Sequence, residues 1–371
     1  MRWPRVTDRN VGAHMRPRSP APPSLSALAT RVDERLAGLL GDEIARWLVV
    51  DPVLVEPLRS LQRLVDAGGK RLRPAFCHWA FVGAGGDHDD PRVVDAGAAF
   101  EMLHAFALVH DDVMDGSDVR RGERTAHLAF ADEHRTAGWR GEGRRFGEGA
   151  AILIGDLAHV YADQLLGDVA GDVWSVWNEL RLELNVGQYL DLVGTARADR
   201  DRALAHRISR YKSGKYTIER PLHVGAALAG RLADLRGPLS AYGDPLGEAF
   251  QLRDDVLGAF GDPERTGKPV GQDLREGKPT PLLAIAAERA GESVADGAAT
   301  LLDRVGDPAL TDGDIAAIQQ VLVDTGAVEV VERLIDTLTS RAIDGIEAAD
   351  VTSEARDELV DLARFVASRD A

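Results

Sequence analysis

The feature that most constrains the fold is an apolar repeat at steps of three and four, running from Leu25 almost to the end of the chain. The stretch "LSALATRVDERLAGLLGDEIARWLVV" keeps that spacing until Pro52 interrupts it. Further helices are expected at about 53–66, 72–84, 91–115, 149–168, 172–194 and 201–230, the last bent at Pro221. Others follow at about 238–260, 280–290, 294–305, 312–324, 327–348 and 352–369. No segment alternates with period two as a half-buried strand does, and no block of 20–50 residues repeats. The breaks are short Gly, Pro or Asp clusters, so an all-α single domain is expected over 25–371. Residues 1–24, rich in Pro and Arg and aperiodic, read as a disordered leader in which Met15 is an alternative start. The one long irregular stretch, "ADEHRTAGWRGEGRRFGEG" over 131–149, reads as a solvated surface loop or as a flap over a site.

Charge narrows the function. The net charge of −16, from 44 basic and 60 acidic residues, argues against nucleic acid or an anionic membrane as partner, since both select a basic footprint. Small anionic substrates are still admitted, because they respond to a local cluster of cations. Cys77 is the only cysteine, which rules out a disulfide framework and a thiolate zinc site. No uninterrupted apolar run approaches the ~20 residues of a membrane span, and the N-terminus lacks a signal-peptide pattern. A cytoplasmic location is expected.

The stretch "LVHDDVMDGSDVRRGERTAH" closes an otherwise apolar helix with four aspartates between Asp111 and Asp118. On a helix Glu101, His104, Leu108, Asp111 and Asp115 share one face, and Asp111 and Asp115 lie about 6 Å apart along the axis. Asp is a poor helix former and like charges one turn apart repel, so the cluster makes sense mainly with a cation on it. Mg²⁺ suits such hard oxygen ligands and is commonly shared with substrate phosphates. The plainer reading is a solvated helix end. A second stretch, "EAFQLRDDVLGAFGDPERTGKPVGQDLREGKPT", sets Gln251, Asp254, Asp255 and Gly258 on one face of another apolar helix. Two such helices facing one another across a cavity would hold a metal–diphosphate cluster.

Cations accompany both acidic stretches. "GGKRLRP" places Lys70, Arg71 and Arg73 at a glycine-led turn into a helix, a combination that favours phosphate over an ordinary basic turn. Arg120 and Arg121 follow the first aspartates, Lys212 and Lys215 lie in "YKSGKYT", and Lys268 and Lys278 follow the second aspartates.

At these residues the chain resembles the trans-isoprenyl diphosphate synthases, the polyprenyl synthetase family. The elements "GGKRLRP", "EMLHAFALVHDDVMD", "DVRRG", "IGDLA", "GQYLDL", "KSGKYT", "QLRDDVLG" and "GKPVGQDLREGKPT" occur in the family's order across about 26–370. The resemblance implies helices around a deep central cavity, a homodimer, and two or three Mg²⁺ ions per site. It implies that an allylic diphosphate ionises, that isopentenyl diphosphate attacks the carbocation, and that a proton is then lost. It carries the metal-ligand role to Asp111, Asp112 and Asp115 and to Asp254 and Asp255. Lys70, Arg71, Arg73, His104 and Arg121 match the isopentenyl diphosphate site. Arg120, Lys212, Gln251, Lys268 and Lys278 match the allylic side, and Ser213 stands where the family often has Thr. His104 also has a reading as a hydrogen-bonded core histidine. The family's third aspartate in the second motif is here Gly258, with Asp262 one turn on as a stand-in.

Product length is expected to depend on the residues below the first motif. Ala107 is only about 40° off the face of Asp111 whereas Phe106 is about 140° off. An aromatic residue at Phe106 with a small one at Ala107 resembles the geranylgeranyl (C20) type, with farnesyl or longer-chain synthases as alternatives. A non-catalytic partner subunit usually lacks aspartates that this chain keeps. A class I terpene cyclase would not need "GGKRLRP" and "DVRRG", and a helical scaffold with acidic patches leaves the paired cationic sites unexplained.

Overall fold

A computed structural model of the chain describes residues 19–261, 271–292 and 297–369. Most of the expected leader, together with Asp262 and Lys268, lies outside the described residues. In chain order the helices are α1 (Pro23–Leu48), α2 (Val55–Asp66, after a 3₁₀ turn at Pro52–Leu54), α3 (Leu72–Gly83), α4 (Pro91–Asp115), α5 (Ala126–Thr136) and α6 (Gly143–Leu166). They continue with α7 (Gly171–Ala196), α8 (Arg202–Ile208), a π-helix (Ser209–Glu219), α9 (Arg220–Leu228), α10 (Leu232–Phe260) and α11 (Gln272–Glu276). The last are α12 (Pro281–Glu292), α13 (Ala298–Leu302), α14 (Asp312–Asp324), α15 (Ala327–Glu347) and α16 (Ser353–Ser368). The expected all-α class holds. Where composition marks no boundary, the contacts divide the chain into two compact units, Pro22–Trp174 with Pro221–Leu232, and Ser175–Arg220 with Ala233–Ala371.

The first unit is organised around α4. Asp90 caps it by accepting from the Arg92 N–H, Pro91 supplies a pre-set first turn, and Gly116 at φ 65° ends it. Its middle, Ala96 to Leu103, is buried throughout, and Gly97 lets it lie against Val32 and Pro74. Phe76, Phe81, Phe100 and Met102 are fully enclosed, each worth about 1.5–3 kcal/mol of burial. Cys77 is buried with them, and the Gly225 Cα approaches its carbonyl so closely that a Cβ there would sit 2.1 Å from the oxygen. Among the described helices α4 alone is long and apolar enough on average to cross a bilayer. With 61% of that window buried inside the protein and carboxylates at its end, it is built as a core helix.

The second unit packs α10 and α12 to α16 around Val256, Leu282, Ile318, Val331 and Ile335. Arg253 crosses this core to bond both Glu332 oxygens, at 2.7 and 2.8 Å, and the Ala367 carbonyl at 2.9 Å. α14 opens on a capping box between Thr311 and Asp314.

Three expectations change. The stretch 131–149 is mostly helix, because α5 continues to Thr136 and α6 begins at Gly143. Two of its glycines serve close packing, since a Cβ would lie 3.2 Å from the Ala131 carbonyl oxygen at Gly143 and 2.0 Å from the His127 carbonyl oxygen at Gly147, whereas Gly138 and Gly141 take positive φ in the short connection. The single helix expected over 201–230 is three pieces with a π-helix in the middle, and Pro221 sits in the first turn of α9, where a proline is tolerated. A two-residue antiparallel hairpin, Val119–Arg120 with Glu123–Arg124, follows α4 where no strand was expected.

Candidate active site

In the first unit the aspartates close α4. Asp112 is buried, 4% exposed, while Asp111 and Asp115 are half-buried. The hairpin turns Arg120 back onto them, so that its Nε donates to Asp112 Oδ1 at 2.9 Å and its Nη2 lies 3.6 Å from Asp111 Oδ2. Arg121 and Gly122 form the turn with φ of 53° and 79°, a pair of left-handed residues that matches the twist of a short hairpin. A left-handed arginine costs about 1–2 kcal/mol, so the fold holds Arg121 there by other contacts. One is its Nη1 donating to the Leu64 carbonyl at 3.1 Å.

Arg71 is also left-handed, φ 48°, at the entry to α3. Its guanidinium is buried and fully engaged. Nη1 donates to Glu101 at 2.6 Å, Nε to Asp33 at 2.8 Å and Nη2 to the Val65 carbonyl at 2.9 Å. Burial opposes its charge, but Glu101 and Asp33 hold its pKa above the ordinary value. Arg71 therefore fixes the "GGKRLRP" turn, where the sequence suggested a phosphate contact. Gly69 leaves room for the Arg121 Nη2, 3.3 Å from where its Cβ would be.

His104 lies on α4 among these groups. Burial, then Arg73, Arg121, Arg120 and Arg71, hold its imidazole well below the ordinary pKa, so it is neutral and offers one donor and one acceptor. Arg121 too is pushed down by burial and by the neighbouring arginines, with Glu101 opposing. Guanidinium groups set this close raise the cost of one another's charge, a cost that a nearby anion lowers. Of the expected residues, Arg73, Arg121, Arg120 and Arg71 all act on His104, and Lys70 adjoins Arg71 at the turn into α3. Farther back on α4, Phe106 packs edge-on to His110 at 4.7 Å and stacks on His159 of α6 at 4.8 Å.

The second unit carries the other carboxylates. Asp255 is 3% exposed; its Oδ1 accepts from Gln251 at 2.8 Å, and its Oδ2 is buried with no hydrogen-bond partner among the described residues. Burial, then Asp273, Asp254 and Asp191, push its carboxyl pKa well up, against the Gln251 hydrogen bond. Asp254 pairs with Arg369. Lys212 Nζ lies 2.6 Å from Asp191 Oδ2, whereas Lys215 turns to Glu219 at 2.7 Å and Glu183 at 3.4 Å. Ser213 is half-buried beside Lys212, and Lys278 Nζ lies 3.0 Å from Glu276.

Among the described residues no three His, Cys, Asp or Glu groups converge as a ready-made metal cage. A buried carboxylate oxygen with an unmet acceptor, among carboxylate neighbours, nevertheless fits a hard divalent cation that completes its shell from a substrate. Asp191 and Asp273 went unassigned in the sequence although both lie in quoted motifs. Their signal was the acid in "GQYLDL" and in "GQDL", but only the folding of α7 and α11 brings them to Asp255.

A sequence model of the family described as Polyprenyl synthetase matches residues 56–322. The chain is 32% identical over 308 residues to the geranylfarnesyl diphosphate synthase of Aeropyrum pernix, covering 81% of this chain and 89% of that protein. It is 32% identical over 308 residues to the (2E,6E)-farnesyl diphosphate synthase of Mycobacterium tuberculosis, covering 82% and 80%. Its structure matches that of a geranylgeranyl pyrophosphate synthase from Corynebacterium glutamicum complexed with isoprenyl diphosphate and magnesium. The TM-score is 0.87 at 36% identity, over 93% of this chain and 99% of that one.

Proposed function

The chain belongs to the polyprenyl synthetase family and is an enzyme of the trans-prenyltransferase class, and from that premise we propose that it condenses isopentenyl diphosphate with an allylic diphosphate to give geranylgeranyl diphosphate. The observation that carries the reading is the hairpin that sets Arg120 on Asp112 and brings the Arg121 guanidinium against Gly69 of the "GGKRLRP" turn, gathering cations where a compact polyanion would bind. We assign Lys70, Arg73, His104 and Arg121 to the isopentenyl diphosphate, with Arg71 as the residue that positions their turn. Asp111, Asp112, Asp115, Asp254 and Asp255 would hold Mg²⁺ on the allylic diphosphate, and the relative crystallised with isoprenyl diphosphate and magnesium supports that choice of ion. Bound there, Mg²⁺ would supply Lewis-acid neutralisation of the departing diphosphate.

The chain's own residues do the rest. Arg120 and Lys212, each already set against a carboxylate, add positive charge where the leaving group's charge grows. Gln251 orients Asp255, leaving its second oxygen available. The apolar length of α4 behind the aspartates keeps water from the carbocation, and no protein base is needed, since the departing diphosphate can take the proton. The aromatic block at Phe106 with small Ala107 beside it supports the C20 product over shorter or longer chains.

A homodimer is part of the proposal. Exposed apolar side chains on α6 (Ile152, Leu153, Val160) and on α7 (Leu182, Val186, Tyr189) form faces that a second copy would cover. The test of the function is turnover of isopentenyl diphosphate with dimethylallyl, geranyl and farnesyl diphosphate in the presence of Mg²⁺, with product length read by mass spectrometry.

A further inference from the structure

Arg369, the last of the described residues, reaches into the second acidic cluster. Arg369 follows the last turn of α16, yet its side chain is only 6% exposed. It ion-pairs with Asp254, donates to the Phe250 carbonyl at 3.2 Å, and lies 3.8 Å from the centre of the Phe250 ring. Arg253, the next residue before Asp254, holds the same segment from below by donating to the Ala367 carbonyl at 2.9 Å. Ser368 is tied as well, its Oγ accepting from the Ser19 N–H at 2.9 Å. The end of α16 is thus docked on the α10 turn that carries Asp254 and Asp255.

That placement has an electrostatic logic. Asp254 is next to Asp255, whose own surroundings include Asp191 and Asp273. Like charges at this density need a counter-charge, and Arg369 supplies one through a planar fork suited to a carboxylate. The same carboxylate is the one assigned above to the divalent cation. A guanidinium and a divalent cation on one carboxylate repel each other, so each weakens the other's hold.

We propose that Arg369 competes with the divalent cation for Asp254, making cation–diphosphate binding and release of the 367–369 segment a single linked equilibrium. The inference rests on the reading of Asp254 as a magnesium ligand. Arg369 is a positioning residue in this scheme: it holds Asp254 against α16 and gives it up as the cation arrives. By linkage, whatever weakens the Arg369 contact strengthens cation binding by the same factor.

The test uses the full chain and two probes, Mg²⁺ and inorganic diphosphate. Calorimetric titration of Mg²⁺ in the presence of diphosphate compares the wild type with Arg369→Gln, Arg369→Lys and Arg364→Gln. Arg364 lies on the same helix in an exposed pair with Asp361, so its variant removes the same charge without touching Asp254. Arg369→Gln is expected to bind Mg²⁺ about fivefold more tightly, as suits an ion pair whose carboxylate is partly exposed. Arg369→Lys and Arg364→Gln are expected to stay within about twofold of the wild type. In the wild type, hydrogen exchange at 366–369 is expected to speed up when both probes are added. Equal or weaker binding by Arg369→Gln, or slower exchange of that segment, overturns the competition. If the wild type shows no Mg²⁺-dependent diphosphate binding at all, it is the magnesium–diphosphate reading that fails.

Discussion

The Asp273 carboxylate occupies the space that any side chain at position 258 would need: a Cβ built on Gly258 lies 1.9 Å from Asp273 Oδ2. The carboxylate nearest position 258, where the resemblance leads one to expect a third aspartate, is thus that of Asp273 on α11. Gly258→Asp, which restores the family pattern on paper, should therefore push Asp273 aside and set a further negative charge against Asp255. The expected result is a loss of kcat/KM of roughly ten- to hundredfold and a higher Mg²⁺ requirement, checked by steady-state kinetics against Mg²⁺ concentration.

Arg71 and Glu101 form an ion pair with both side chains under 5% exposed. Removing one partner of such a pair strands the other charge in the core. Arg71→Met should lower stability by about 3–5 kcal/mol, measured by urea unfolding. Arg73→Met, two residues on, should leave stability within about 1 kcal/mol and raise the KM for isopentenyl diphosphate instead.

Glu219 sits in a buried network with Lys215, Ser240 and Arg220. Burial pushes its carboxyl up, but the Lys215 and Ser240 hydrogen bonds and the nearby charges win and bring it down to about 2, from an ordinary 4.5. The folded state therefore binds this proton less readily than the unfolded chain. The stabilisation is complete above pH 4.5 and is lost as pH falls from there to about 2. Its size is about 3 kcal/mol. Unfolding free energies measured across that window should fall by about this much more for the wild type than for Glu219→Gln.

Phe106 is gripped between the His110 and His159 rings, whereas the neighbouring Ala107 is small and half-buried. Ala107→Phe is expected to shorten the main product by at least one isoprene unit, seen by mass spectrometry of dephosphorylated products. An unchanged product spectrum would place the floor of the chain pocket on other residues.

Local signals made much of this legible. The α4 limits follow from Asp90, Pro91 and Gly116, and they coincide with the expected 91–115. The terminal helices α14 to α16 agree with expectation to within a residue or so for the same reason, their caps being written in Thr311, Gly326 and Thr352. The π-helix was not legible, and the contacts made by its residues are remote in sequence. Gly187 of α7 packs directly on the Lys212 backbone, 2.3 Å from its N to a would-be Cβ, and Gly214 meets Gly247 in the same way. The 131–149 stretch misled because glycines that mark loops also mark close helix contacts. At the site, spacing singled out the motif aspartates as candidates, and the family resemblance gave them their expected role. The engagement of Arg71 with Asp33 and Glu101, the approach of Asp273 to Gly258 and the reach of Arg369 to Asp254 span 15 to 115 residues and have no local periodicity to announce them.

The central claim is best tested by incubating the purified enzyme with Mg²⁺, isopentenyl diphosphate and each allylic diphosphate in turn, and identifying the product. Mg²⁺-dependent turnover with geranylgeranyl diphosphate as the main product is expected, abolished by Asp111→Ala or Asp254→Ala. Absence of turnover with every allylic diphosphate would contradict it.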